Sequence, residues 1–352
     1  MREQSIKRAS LLLLAIIAVC VCIFRFSPEC IQGIKDGMKL CASAVIPSLF
    51  PFLIVSQFTV ESGMSDCLGT VFAKPTRLIF GLPGICSSVI LMSLIGGYPV
   101  GARMTAQLID SNKITVYQAK RLNLFCINAG PAFMIGTVGS IMLSSARAGV
   151  ILFLSCASAC VILGIASRLI MTEEKTDVKE GTVVVLKEPV SAFTKSVSSS
   201  LYSMLSICAW VVIFSAAIGI IKAHTEGVGS AVICAVLEVT SGVKLSAGLF
   251  SLPVIAAILS FGGLSVHCQI YPYIEKSGLK IKHFLAARTV SACLSAILCK
   301  GLLFIIPCDI PTFSNYSEIS MNAYSVSLPS AAALLIMCAM LIFEVDNSKK
   351  MC

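Results

Sequence analysis

The sequence predicts an all-α, polytopic membrane protein, and three observations predict it. Hydrophobic residues make up 57% of the 352-residue chain and charged residues only 13%, which leaves too little polar surface to cover a soluble globule. Several apolar runs reach the roughly 18 to 25 residues that a helix needs to cross about 30 Å of hydrocarbon. Backbone groups in lipid must bond internally, so helices are the default for those runs. The third observation is the charge. A formal net charge of +9 comes from 27 Lys and Arg against 18 Asp and Glu, but the basic residues lie between apolar runs instead of forming one patch. That distribution speaks against nucleic acid and fits the positive-inside bias of membrane proteins.

The elements follow in order, with about eight crossing helices expected, two broken, re-entrant hairpins and an internal repeat. Residues 9–24 form the first apolar run, behind Arg2, Lys7 and Arg8. Phe24, Arg25 and Phe26 follow it in place of a small-x-small cleavage site, so it is expected to stay as a first helix and not to act as a removable signal. Residues 40–60 are a second span carrying Pro47 and Pro51, and residues 67–82, with Lys74, Pro75 and Arg77, are short enough that they either dip or cross. Pro83 opens an apolar helix to Ile95, which stops at Gly96-Gly97-Tyr98-Pro99 and resumes as a more polar helix to Ile109. This is the first expected hairpin.

Residues 114–143 are long enough to cross but are interrupted by Asn128-Ala129-Gly130-Pro131, and residues 148–170 return unbroken. Residues 171–189 then turn polar with dense mixed charge, as in a solvated cytoplasmic linker. The second half has spans at 201–221 and 228–245, then a short apolar helix at 253–261 that ends at Gly262-Gly263, the second expected hairpin. Spans at 280–306 and 328–343 complete it, separated by residues 307–327, which hold no Lys or Arg and are expected outside; the tail with Lys349 and Lys350 is expected inside. The expected domains are a first helix and loop (1–38), a first repeat (39–170), the linker (171–192), a second repeat (193–343) and a cytoplasmic tail (344–352).

The 17 cysteines sit mostly inside apolar runs, as at Cys20, Cys22, Cys156, Cys160 and Cys299, with no C-x-x-C pair. They read as small buried hydrophobes, without a metal or disulfide framework. No H-E-x-x-H, G-x-S-x-G, phosphate-binding P-loop or dinucleotide fingerprint occurs in the sequence, so neither an enzyme nor a resident cofactor is expected.

Placing Gly96-Gly97 on Gly262-Gly263 also places Val100 on Val266, Arg103 on Gln269 and Ser111 on Ser277. Repeats with discontinuous helices at matching positions point to a transporter's binding site. A broken helix leaves amides or carbonyls unpaired, which membrane depth tolerates only where protein or a wet cavity surrounds them. The amide end of the resumed half-helix also favours anions. The expected solute-binding set is therefore Gly96, Gly97, Tyr98, Pro99 and Arg103 at the first hairpin, Asn128 and Gly130 at the break in 114–143, Thr240 beside Glu238, and Gly262, Gly263, Ser265, His267 and Gln269 at the second hairpin. Glu238 is the one carboxylate inside an otherwise apolar run, where ionisation is costly. It is the expected ion-coupling group, for a proton or a sodium ion.

Five segments carry a resemblance: Pro47-Ser48-Leu49-Phe50-Pro51-Phe52, Gly97-Tyr98-Pro99-Val100-Gly101-Ala102, Asn128-Ala129-Gly130-Pro131-Ala132-Phe133, Leu237-Glu238-Val239-Thr240 and Gly262-Gly263-Leu264-Ser265-Val266-His267. In combination they resemble the YlbJ-type sporulation integral membrane proteins, which carry the nucleoside-recognition Gate domain. Cys268 stands where the family pattern has Ala, and Ser241 where it has Asn. The resemblance implies a spore-forming bacterium, a fold similar to concentrative nucleoside transporters, and movement of dipicolinic acid across the outer forespore membrane. Spacing and composition alone leave dipicolinate, a nucleoside, another carboxylate or an amino acid open as the solute. The expected partners are that solute and the lipid bilayer, with no nucleic acid; a homo-oligomer stays open. The expected function is an alternating-access carrier, and the alternative is a non-transporting scaffold or sensor in spore assembly.

Overall fold

A computed structural model describes residues 2–171 and 187–308. Most of the expected linker, the 307–327 loop after Cys308, the 328–343 span and the 344–352 tail lie outside the described residues. Among the described residues the structure is helical, with no strand.

Among the described residues, five helical stretches are long and apolar enough to cross a bilayer: Ser27–Glu61, Ala146–Ile170, Pro189–His224, Leu252–Lys276 and Ile281–Ile305. After α1 (Arg2–Arg25), the first of them joins α2 (Ser27–Leu40) through a π-helical turn (Cys41–Val45) to α3 (Ile46–Glu61). At 35 residues it runs about 52 Å, well beyond the hydrocarbon thickness. Residues 67–82 do not form one crossing helix. They fall in α4 (Met64–Val71) and α5 (Ala73–Phe80), of 8 residues each, about 12 Å long.

The first expected hairpin is present. Helices α6 (Cys86–Gly96) and α7 (Tyr98–Asp110) meet at Gly97, whose φ of +89° is open to glycine. A Cβ built on Gly101 would lie 2.8 Å from the Ser93 Cβ, so the arms run back along each other. Next, α8 (Val116–Phe125), opened by a Thr115/Gln118 capping box, stops before the Asn128-Pro131 break, and the chain resumes as a π-helical segment (Ala132–Met142). The long α9 (Ala146–Ile170) returns to the linker.

Helix α10 (Pro189–His224) packs antiparallel to α2 and α3. Gly33 and Gly37, four apart on α2, let the backbones close: a Cβ on Gly33 would lie 2.2 Å from the Ser215 carbonyl oxygen, the small-xxx-small contact usual between helices in lipid.

Two expectations for the second half are corrected. Residues 228–245 do not cross as one helix. They form α11 (Gly227–Leu237) and α12 (Val239–Ser246), which fold back at Glu238; a Cβ on Gly242 would lie 2.2 Å from the Ala235 Cα. The second hairpin is therefore here and not at Gly262. The break at Gly262 exists, with φ +91°, between α13 (Leu252–Phe261) and α14 (Gly263–Lys276), but these half-helices do not pack along each other: α13 lies against α9 and α15, α14 against α7 and α10. The double glycine bends a span instead of reversing it. The alignment of Gly96-Gly97 with Gly262-Gly263 thus pairs a hairpin tip with an interrupted helix.

The final described helix, α15 (Ile281–Ile305), shows the membrane logic in one stripe. Phe284, Arg288, Ser291, Ser295 and Cys299 are buried at helical spacing, while Val290, Ile297, Phe304 and Ile305 are exposed. Small and polar side chains face protein, large apolar ones face outward.

The two hairpins enter from opposite ends. The open end of α6/α7 lies where α10 begins: Arg103 of α7 bonds Ser199 near the start of α10, and Asp110 pairs with Lys276 at 2.6 Å. The open end of α11/α12 lies where α10 ends, since α11 starts three residues after His224. The linker leaves from the first of these ends, with the Tyr117 hydroxyl on the Met171 carbonyl at 2.8 Å and the Lys187 amide on the Ser62 carbonyl at 3.1 Å.

Candidate functional site

Both hairpin tips rest on a glycine in an interrupted helix. A Cβ on Gly130 would lie 2.7 Å from the Ile95 carbonyl oxygen and 3.2 Å from the Gly97 nitrogen. On the other side, a Cβ on Gly263 would lie 3.1 Å from the Val239 nitrogen and 3.3 Å from the Ala235 oxygen. Any other residue at either position would push a tip away. The two sets also touch: the Tyr98 hydroxyl donates to the Leu259 carbonyl at 2.6 Å, and its ring abuts Gly262.

Between them lies a cavity. Of the expected site residues, Tyr98, Pro99, Gly130, Glu238, Thr240, Ser265 and Gln269 line it; Trp210 and Phe133 contribute aromatic walls. The centre of a water molecule has about 40 Å³ to move in, room for a few waters. A solute of ten or more heavy atoms enters only when the surrounding helices part.

Glu238 is 1% exposed and lines the cavity from the second tip. Its two carboxylate oxygens accept from the amides of Thr240, at 2.8 Å, and Ser241, at 2.6 Å. The carboxylate therefore caps its own half-helix α12, at the amide end where negative charge is favoured. This offsets the charge without a cationic side chain.

Several expected residues stand apart from the cavity lining. Gly96 and Gly97 build the first tip, and Gly262 and Gly263 build the bend, through backbone contacts. Arg103 points along α7 to α10, where its guanidinium bonds the hydroxyls of Ser199 and Ser203 and the Ser199 carbonyl at 3.1 Å. His267 donates from Nε2 to the Phe261 carbonyl at 2.9 Å and packs edge-on against Phe261 and Phe284, the setting of a packed histidine. Asn128 is 1% exposed at the break, and neither of its amide atoms has a hydrogen-bonding partner among the described residues.

The sequence reading missed Arg288. This side chain, 1% exposed, donates to the Leu124 carbonyl at 2.9 Å, to the Ile127 carbonyl and to the Ser260 carbonyl at 3.5 Å. Those carbonyls belong to the carboxyl ends of α8 and α13 and the break after α8, where partial negative charge collects. A cation there joins both interrupted helices. In sequence it looked like part of the basic lead of the 280–306 span, with Lys280, Lys282 and His283. Its place in the stripe of Phe284, Ser291 and Ser295 was the available signal.

This geometry, a set of broken helices around a small buried cavity in an apolar shell, belongs to an integral membrane protein. The chain is similar to a sporulation protein. It is 23% identical over 308 residues to the sporulation integral membrane protein YlbJ of Bacillus subtilis (strain 168), covering 76% of each chain. That similarity supports the YlbJ-type resemblance carried by the five sequence segments. No protein-family model and no solved structure matches the chain.

Proposed function

We propose that this chain is a secondary carrier that moves a small anionic solute across a membrane by alternating access, most specifically dipicolinic acid during bacterial spore formation. The observation that carries the reading is the convergence of two hairpin tips and two interrupted helices on one cavity. Such breaks persist in a bilayer only around a protein-lined or wet site. The amide ends of α7 and α14 converge on this region, which suits a carboxylate, while that of α12 is taken by Glu238. Arg103 and Arg288 add buried positive charge, and among the described residues neither forms an ion pair with a carboxylate.

The internal repeat belongs to the same proposal, in a new register. A long helix, a hairpin, an interrupted helix and a returning helix occur as α2–α3, α6/α7, α8 with its π-helical continuation, and α9. They recur as α10, α11/α12, α13/α14 and α15. The hairpins' opposite entry makes the two halves inverted, an arrangement in which each half takes the other's role as access alternates. With the undescribed terminal span, about eight crossings remain the working count. Glu238 is proposed as the coupling group, for a proton or sodium ion. The proposal places the protein in the outer forespore membrane, acting on a solute rather than as an enzyme.

The competing reading is a scaffold or sensor that kept the fold; the small closed cavity and the fully capped Glu238 favour it. Uptake decides between them. Proteoliposomes are supplied from outside with labelled dipicolinate or a labelled nucleoside, with and without a proton or sodium gradient. Gradient-dependent accumulation of dipicolinate is expected; entry of neither solute under any gradient would leave the scaffold.

A further inference from the structure

The central cavity is not the only polar space. At the linker end, a vestibule in which the centre of a water molecule has about 490 Å³ to move is lined by Glu61, Asp66, Gln107, Asp110, Lys113 and Lys187. Lys113 and Asp66 pair within it at 2.6 Å. A continuous chain of polar contacts leads inward from there. Gln107 Nε2 donates to Gln57 Oε1 at 3.4 Å, Ser199 Oγ approaches the same oxygen at 3.5 Å, and Ser199 and Ser203 hold Arg103. One turn above Arg103 on α7 is Pro99, in the cavity lining.

This seam holds a guanidinium bonded only to neutral partners and two amide atoms, Gln57 Nε2 and Gln107 Oε1, that have no partner among the described residues. Arg103 is partly buried and bonds only hydroxyls and a carbonyl; Glu61 lies at the vestibule, and among the described residues no carboxylate pairs with Arg103. Gln57 is 0% exposed, and its Nε2 has no partner. A half-buried guanidinium held by neutral partners, with Glu61 acting on it only through space, beside a buried amide donor without an acceptor among the described residues, is a set of donors that a carboxylate satisfies.

We propose that this seam between α3, α7 and α10 is a second, outer anion site on the linker side of the cavity, where Arg103 receives a carboxylate as it releases Ser199 and Ser203. The site rests on the carrier reading for its purpose but not for its chemistry. Latched, Arg103 closes the seam; released from the serines it holds a carboxylate in their place, so the bound anion itself fills the seam.

The test uses the purified full-length protein in nanodiscs, with Gln107→Cys, in the vestibule lining, as the reporter. Maleimide labelling is read by mass spectrometry of the relevant peptide, so native cysteines do not interfere. Ser199→Ala with Ser203→Ala removes two hydrogen bonds to the guanidinium and is expected to speed labelling by at least about tenfold, the factor that losing even one such bond implies. Dipicolinate and benzoate are expected to slow it, in protein retaining Arg103 and not in Arg103→Gln. Labelling indifferent to the serine substitutions, or protection by uridine and not by the carboxylates, would overturn the site. Carboxylate protection that depends on Arg103, in a protein whose proteoliposomes accumulate no solute, would retire the carrier reading and leave the site standing.

Discussion

An ionised carboxylate at the centre of a crossing helix costs about 2.5–3.5 kcal/mol on insertion scales, and Glu238 meets that cost with two backbone amides at a helix start. Replacing it with Gln keeps size and one acceptor while removing charge and titration. If Glu238 couples transport, Glu238→Gln is expected to lose gradient-driven accumulation yet retain solute exchange, measured in proteoliposomes at equal protein content. Wild-type accumulation would reduce Glu238 to a cap. Arg288 invites a different measurement, because it acts through packing. Arg288→Ala orphans several buried carbonyls at about 1–3 kcal/mol each, so the thermal midpoint in detergent should fall strongly. Arg288→Lys, which reaches fewer carbonyls, should recover part of the loss, and an unchanged midpoint in the Ala variant would mean that water replaces the guanidinium.

The elements show why some of this was legible and some was not. Breaks at Gly97, at Asn128-Pro131 and at Gly262 announce themselves through Gly and Pro, whose backbone chemistry ends a helix in any setting. The tip at Leu237-Glu238-Val239 has neither residue, and the apolar run continues through it. Its reversal depends on a capping carboxylate and on Gly242 closing against Ala235, tertiary facts that hydropathy does not carry. The reading accordingly placed a hairpin at the louder double glycine. The glycines that seat the tips yield a prediction at this scale. Gly130→Ala puts a Cβ 2.7 Å from the Ile95 oxygen, whereas Gly136→Ala, in the π-helical segment that follows, meets nothing within 4 Å. Gly130→Ala should therefore abolish uptake with normal membrane abundance, and Gly136→Ala should transport like wild type. Equal activity in the two variants would show that the tip has room to shift.

At the scale of the whole molecule, the opposite entry of the hairpins fixes which loops share a side of the membrane. Ser111, after α7, belongs to the linker end; Glu226, between α10 and α11, belongs to the other. The linker end gathers Lys74, Arg77, Lys113, Lys120, Arg168, Lys187, Lys276, Lys280 and Lys282, against Arg25, Arg147, Lys222, Lys244 and Lys300 toward the other, and the more basic side stays inside. Both Ser111 and Glu226 are exposed, so a cysteine at either reports sidedness directly. In intact cells of a host that inserts the protein in its plasma membrane, a membrane-impermeant maleimide should label Glu226→Cys, and label Ser111→Cys only after permeabilisation, with each modification read on its own peptide. A parallel arrangement of the halves would bring both hairpin openings to one face and give the two positions the same accessibility. Labelling of both from outside would therefore remove the inverted repeat, and with it the exchange of roles between halves on which alternating access here depends.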